Sequence, residues 1–307
     1  MSSTIDQLNA DFGLTQAYGT ALSFVQGEAD LPLAILRTAN AEARVMLQGA
    51  QIIHYQVGEQ PPIIWVGEEA KAVPGKSLRG GVPVCWPWFG AGAEGQPAHG
   101  FARNLNWQVA ASKADEDSVT LTLELLPSET SAKYWPHDFR LSLEVHLADS
   151  LKMTLMTEHR GSESCTITQA LHTYLRVGDI AEVSIKGLAD TAFLDKTRDM
   201  LRDTQSDLAL RLGSETDRVY LDTESEVIVE DAALQRRIHV RKEGSRSTVV
   251  WNPWDEKAGG FPDMRADEYA SMLCVETTNA ADDMVQLAPG ETHCMVSEIL
   301  VTPLTAS

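Results

Sequence analysis

The chain has 307 residues, 43% of them hydrophobic, which is enough to bury one large core or two smaller ones. Only 25 Lys and Arg stand against 44 Asp and Glu, and the resulting net charge of −19 repels nucleic acid and anionic membranes, so neither is an expected partner. A small anionic substrate would need a local basic pocket to overcome that field.

The N-terminal residues MSSTIDQLNADFG lack a basic start followed by an apolar run, and no stretch approaches the roughly 20 apolar residues of a membrane span. A cytoplasmic protein is expected. Residues 1–19 read as an N-terminal extension with a short helix near residues 4–9. From Thr20 the chain turns to short strands with period-two alternation. Val119, Leu121, Leu123 and Leu125 alternate with Thr120, Thr122 and Glu124, and Leu141, Leu143, Val145 and Leu147 with Ser142, Glu144 and His146. Further strands are expected at 31–36, 51–57, 150–159, 165–177, 226–231, 236–242, 247–253, 269–277 and 292–301, separated by turns such as LPSET, HRGSES, KEGSRS and LAPGET. One other helical piece is expected at 206–212. Hairpin-linked strands without alternating long helices argue for a large all-β antiparallel sandwich rather than a parallel βαβ sheet. With no repeat, low-complexity linker or charge block, residues 1–307 read as a single domain.

Cys85, Cys165, Cys274 and Cys294 form no CxxC pair, which removes the usual zinc and redox signatures. They read as buried thiols, and no metal is expected.

Three segments break the strand pattern. The first is the Gly-, Pro- and aromatic-rich stretch 77–107, which holds Arg79, His99 and Arg103; long non-repetitive loops of this kind are more often functional than idle. The second is LHTYLRV around His172. The third is VVWNPWDEKAGGFPDM, followed by the strand containing Glu276.

Glu276 shares a strand face with Met272 and Cys274, while Leu273 and Val275 lie on the other. A carboxylate in so apolar a strand is partly desolvated, which raises its pKa and suits a general base near neutrality. The alternative is a strand-end Glu turned to solvent. His172 follows Thr166, Thr168 and Ala170 on its own face, small residues that leave room for a ligand. The alternative is a core histidine bonded to a backbone carbonyl. Arg79 and Arg103 lie among glycines with few nearby acids, a setting that suits forked donors closing on phosphate oxygens. The alternative is ordinary surface ion pairing. Trp86, Trp88, Trp251 and Trp254 offer flat faces for a sugar ring or fill the core, and at least half are expected to do the latter.

The motifs RGGVPVCWPWFG (79–90), HGFARNLNW (99–107), LHTYLRVGDI (171–180), ETDRVY (215–220), VVWNPWDEK (249–257) and MLCVET (272–277) occur in this order. Taken together they make the chain similar to the hexose-6-phosphate (glucose-6-phosphate) 1-epimerase branch of the galactose-mutarotase-like superfamily. The resemblance implies a β-supersandwich that interconverts the α and β anomers of a hexose 6-phosphate, glucose 6-phosphate foremost. It implies that His172 and Glu276 are catalytic, as acid and base. Arg79 and Arg103 would bind substrate, Asp217 would hold sugar hydroxyls, and His99 would be a further ligand. Some relatives carry Gln immediately before HGFAR where this chain has Ala98, so one polar contact is lost or supplied elsewhere.

Ring opening and reclosure require neither redox change nor a covalent intermediate, so no cofactor is expected. The expected partner is a small sugar phosphate, and no heptad or apolar stripe demands a second copy, which favours a monomer. Three other readings stay open: glycoside hydrolysis by Asp217 and Glu276, an epimerase for unphosphorylated sugars, and a non-catalytic sugar-binding protein.

Overall fold

The computed structural model describes residues 4–304, and every strand pair in it is antiparallel. The first half of the chain starts with a meander. Strands Leu14–Gln16, Gly19–Gln26, Pro32–Arg37, Ala41–Met46 and Gln51–Val57 pair in sequence order into a five-stranded sheet. A nine-stranded sheet runs from Ala209–Leu210 at one edge to Gln108–Asp115 at the other. Its central strand is the last of the chain, Thr292–Pro303, which lies between Arg236–Glu243 and Leu151–His159. The alternation read in the sequence sets which side of this sheet is wet: Val119, Leu121, Leu123, Leu141, Leu143 and Val145 are all within 1% of full burial.

An eight-stranded sheet carries the site. Strands Leu201–Thr204, Ala192–Asp195, Thr216–Tyr220, Ser247–Asn252, Met272–Asn279, Gln169–Leu171 and Val84–Cys85 follow one another across it, and Tyr174–Arg176 also pairs with Met272–Asn279. Its middle strands are buried on both faces. One face, with Val250, Leu273 and Val275, joins the main core, which draws on all three large sheets. The other face, with Val249, Trp251, Met272 and Cys274, packs with Trp65 and Tyr174 in a second, smaller cluster. The expected division of residues 272–276 between two faces is therefore found. Placing Glu276 at a strand end is corrected: the strand continues to Asn279, and Glu276 is 1% exposed.

Other expectations change as well. Residues 165–177 form three short strands, Cys165–Ile167, Gln169–Leu171 and Tyr174–Arg176, broken at Thr168, where pairing passes from Val285–Leu287 to Met272–Asn279, and again at His172. The Thr173 amide donates to the Leu171 carbonyl at 2.9 Å, closing a three-residue turn, while the His172 amide is taken by the Pro83 carbonyl at 3.1 Å. Residues 206–212 are not helical. Ala209–Leu210 instead forms the edge strand, paired with Val183–Lys186, and Leu208, at 84% exposed, offers no apolar face for a helix to bury. The expected N-terminal helix is Thr4–Phe12, but the first strand begins at Leu14, inside what reads as an extension. Short helices Glu129–Tyr134, with a Ser128–Ser131 capping box, and Trp254–Ala258 were not expected. Cys85, Cys165 and Cys274 are buried as expected; Cys294 is exposed. Among the described residues no helix is long and apolar enough to cross a membrane.

Candidate active site

A cleft of about 460 Å³ opens on the second face of the eight-stranded sheet. Strand register builds its floor: Asp217 pairs with Trp251, Trp251 with Cys274 and Cys274 with Tyr174, so four strands place these side chains in one row. Two residues beyond Cys274, Glu276 projects from the same face. The register on either side of the turn, Leu171 with Thr277 and Tyr174 with Cys274, sets His172 opposite Glu276. His172 Nε2 lies 3.4 Å from Glu276 Oε1, and the imidazole stacks on Tyr174 at 4.8 Å between centroids, with Trp251 edge-on at 6.1 Å.

Burial governs the protonation of this pair. It pushes the Glu276 carboxyl well above the ordinary carboxylate range, with Lys196 acting in the opposite sense and Asp217 adding to the rise. It pushes the His172 imidazolium well below the usual histidine range, helped by His99, Arg103 and Lys196. Neither group favours its charged form, so the pair holds one proton. His172 Nδ1 and Glu276 Oε2 are buried with no protein hydrogen-bond partner among the described residues.

The long loop folds over this floor. Gly100, at φ +72, lies so close to Trp86 that an added Cβ would fall 1.9 Å from the Trp86 carbonyl oxygen, and only glycine allows the approach. His99 beside it is itself left-handed, at φ 60, and faces the cleft with its ring 5.0 Å from Phe89 and 5.7 Å from His172. Burial and the Arg103, Lys196 and Arg79 charges push His99 down to about 3, so it is neutral at physiological pH.

All six residues singled out in the sequence line this one cleft: Arg79, His99, Arg103, His172, Asp217 and Glu276. Their pairing is less uniform than expected. Arg79 is tied to Asp263 at 3.0 Å and lies 4.3 Å over the Phe261 ring. Asp217, its carboxyl raised by burial against the pull of Lys196, sits 3.3 Å from the Lys196 ammonium. Arg103 donates from Nη2 to the Ala98 carbonyl at 2.9 Å. Of the four tryptophans only Trp251 faces the cleft; Trp86 is fully buried, and Trp88 and Trp254 pack against the main core.

Lys76, Lys196, Lys257, Asp263, Tyr174, Phe89 and Phe261 also line the cleft. None of them carries a role assigned from sequence. Lys257 and Asp263 stand in the third unusual segment and Tyr174 two residues beyond His172, whereas Lys76, in a turn, and Lys196, opening the short 3-10 helix Lys196–Arg198, carry no local signal. Five cations against Asp217, Asp263 and Glu276 make the cleft locally basic in a protein of net charge −19.

His172, Cys274 and Glu276 have donor atoms within 4.8 Å of one another, close enough for a metal. The donor set argues against one. Burial holds the Cys274 thiol well above its usual range, so it keeps its proton, and the surrounding guanidinium and ammonium groups oppose a further cation.

An antiparallel sandwich with a buried His–Glu pair in a basic, aromatic-walled cleft is the form of a sugar mutarotase. Residues 33–299 match the aldose 1-epimerase family, and the chain belongs to that family. It is therefore an isomerase that interconverts sugar anomers. It is 39% identical over 254 residues to an Escherichia coli (strain K12) protein named "Putative glucose-6-phosphate 1-epimerase", a match covering 82% of this chain and 85% of that protein. A Cenchrus ciliaris protein of the same name is 34% identical over 282 residues, covering 87% and 84%. The solved structure of a Salmonella typhimurium protein described as a "putative mutarotase" superposes with a TM-score of 0.87 at 34% identity, covering 98% of this chain and all of that one. The galactose-mutarotase-like supersandwich expected from the motifs is thus the fold found.

Proposed function

We propose that this protein interconverts the α and β anomers of a hexose 6-phosphate, glucose 6-phosphate foremost, with Glu276 as base and His172 as acid. The observation that carries this reading is the 3.4 Å His172–Glu276 contact at the floor of a cleft lined by five cations. Glu276 takes the proton of the anomeric hydroxyl, the C1–O5 bond breaks, and O5 receives its proton from His172. The open-chain aldehyde turns about C1–C2, and reclosure with the two roles reversed gives the other anomer.

The shifted pair suits this exchange. Moving the pair's one proton from Glu276 to His172 creates base and acid together. A carboxylate held above its usual range takes a proton readily, and an imidazolium held below its own gives one up readily. Sugar hydroxyls donating to Glu276 would favour the ionised carboxylate. Asp217 supplies an acceptor for hydroxyls, Trp251 and Phe89 supply flat faces, and Arg103 supplies a charged fork for the phosphate. His99, neutral, is a further hydrogen-bonding ligand beside Ala98. The names of the E. coli and C. ciliaris relatives support the same substrate.

Glycoside hydrolysis by Asp217 and Glu276 is less well supported, because Asp217 is engaged by Lys196 and the group beside Glu276 is a histidine. Exchange NMR on phosphorylated and free hexoses tests the proposal. Faster exchange of glucose 6-phosphate than of glucose is expected; binding without accelerated exchange would replace the reading by that of a sugar-binding protein.

A further inference from the structure

Three of the cleft's five cations are already neutralised: Arg79 by Asp263 at 3.0 Å, Lys196 by Asp217 at 3.3 Å, and Lys257 by Glu215 at 2.5 Å. Lys76 and Arg103 pair with no carboxylate among the described residues. Both line the cleft, and their chain segments are joined. The Ser77 amide donates to Asn104 Oδ1 at 3.0 Å, which fastens the residue after Lys76 to the residue after Arg103. Arg103 is oriented by the Ala98 carbonyl, and its buried Nε has no protein partner.

The exposed loop that carries Lys76 is clasped from beneath by two buried amides. Gln51 donates to the Leu78 carbonyl at 2.9 Å and the Gly80 carbonyl at 2.7 Å, and accepts from Ser77 Oγ at 3.2 Å and the Leu78 amide at 3.3 Å. Gln48 donates to the Val73 carbonyl at 3.0 Å and the Lys76 carbonyl at 2.8 Å, and accepts from the Gly75 amide at 2.7 Å. Gln51 is 0% exposed and Gln48 2%. A surface lysine with no binding task needs no such support. A binding loop does, because a preset backbone lowers the entropy lost when ligand arrives.

We propose that Lys76, with Arg103, is the cation pair that seats the substrate's phosphate, and that Arg79 serves the sugar end. This rests on the sugar-phosphate reading above. A phosphomonoester dianion takes a forked contact from the guanidinium and a point charge from the ammonium. Arg79, tied to Asp263 and over Phe261, has little unbalanced charge left for an anion.

The test is the selectivity ratio, kcat/KM for glucose 6-phosphate over that for glucose, measured by anomer exchange. Lys76→Met is expected to lower the ratio about tenfold through KM, the size of one charge-assisted hydrogen bond, and Lys76→Arg to restore most of it. Inhibition by inorganic phosphate weakens in step in Lys76→Met. Arg79→Ala lowers activity on both sugars alike. An unchanged ratio with unchanged phosphate inhibition in Lys76→Met overturns the assignment, as does equal loss on the two sugars. If the wild-type protein does not favour the ester over the free hexose, the sugar-phosphate reading itself fails, and that result is visible before any variant is made.

Discussion

His172 Nε2 and Glu276 Oε1 meet at 3.4 Å because strand register sets the two residues opposite one another, between the Leu171–Thr277 pair on one side and the Tyr174–Cys274 pair on the other. A three-residue turn closed by the Thr173 amide on the Leu171 carbonyl interrupts the strand at His172, while the His172 amide bonds the Pro83 carbonyl and so extends the pairing of Gln169–Leu171 with Val84–Cys85. Tyr174, back on the strand, then supplies the ring on which the imidazole stacks. The contact joins a group that burial prevents from charging to another of the same kind, which is the condition for easy proton transfer between them.

Glu276→Gln and His172→Asn are each expected to cut the anomer exchange rate at least about a hundredfold, the low end for loss of a general acid or base. Saturation-transfer NMR on glucose 6-phosphate reads this directly, and wild-type-like exchange in either variant would remove that residue from the mechanism.

Glu276 also sets a pH signature in stability. An unfolded Glu ionises near 4.5, whereas the folded one, its pKa raised well above that by burial, keeps its proton. As pH rises past 4.5 the unfolded state sheds a proton that the folded state retains, so wild-type stability falls until the folded carboxyl also ionises. Gln cannot titrate. The Tm of Glu276→Gln minus that of wild type is therefore expected to grow more positive from pH 4 to pH 8 by calorimetry; a constant difference would show an ordinary carboxylate. His172, its pKa depressed by burial, acts at the other end and costs stability as pH falls through about 6.5, a slope that His172→Asn removes.

Asp217→Asn is expected to raise KM about tenfold for glucose and glucose 6-phosphate alike, since a charged acceptor for ring hydroxyls is lost and Lys196 is left without its partner. An effect confined to the phosphorylated sugar would place Asp217 in the phosphate subsite instead.

Trp86→Ala is expected to cost about 3–5 kcal/mol of folding stability. The indole is fully buried, contacts Phe101, Trp135 and Phe139 with centroids 4.6–5.6 Å away, and donates to Thr157 Oγ1 at 3.0 Å. Denaturant titration checks this; a change within about 0.5 kcal/mol, typical of a surface site, would contradict its core role.

Much of this protein was legible in its sequence. Period-two alternation in residues 119–125 and 141–147 follows from the pleat, which has only two faces, so it gave the antiparallel class and the buried side of each strand without any knowledge of neighbours. The same rule placed Glu276 with Met272 and Cys274. The motif set singled out six residues that share one cleft. Pairing and charge balance were decided by the tertiary structure. The seat of His172 opposite Glu276 depends on residues 169–176 pairing with Met272–Asn279, and the central place of Thr292–Pro303 depends on strands far away in the chain. Which cations remain unneutralised depends on Asp263, Asp217 and Glu215 approaching from other segments. Local pattern records whether a side chain faces in or out; Coulomb and hydrogen-bond partners are set by distances between remote segments, and those exist only once the sheets have packed.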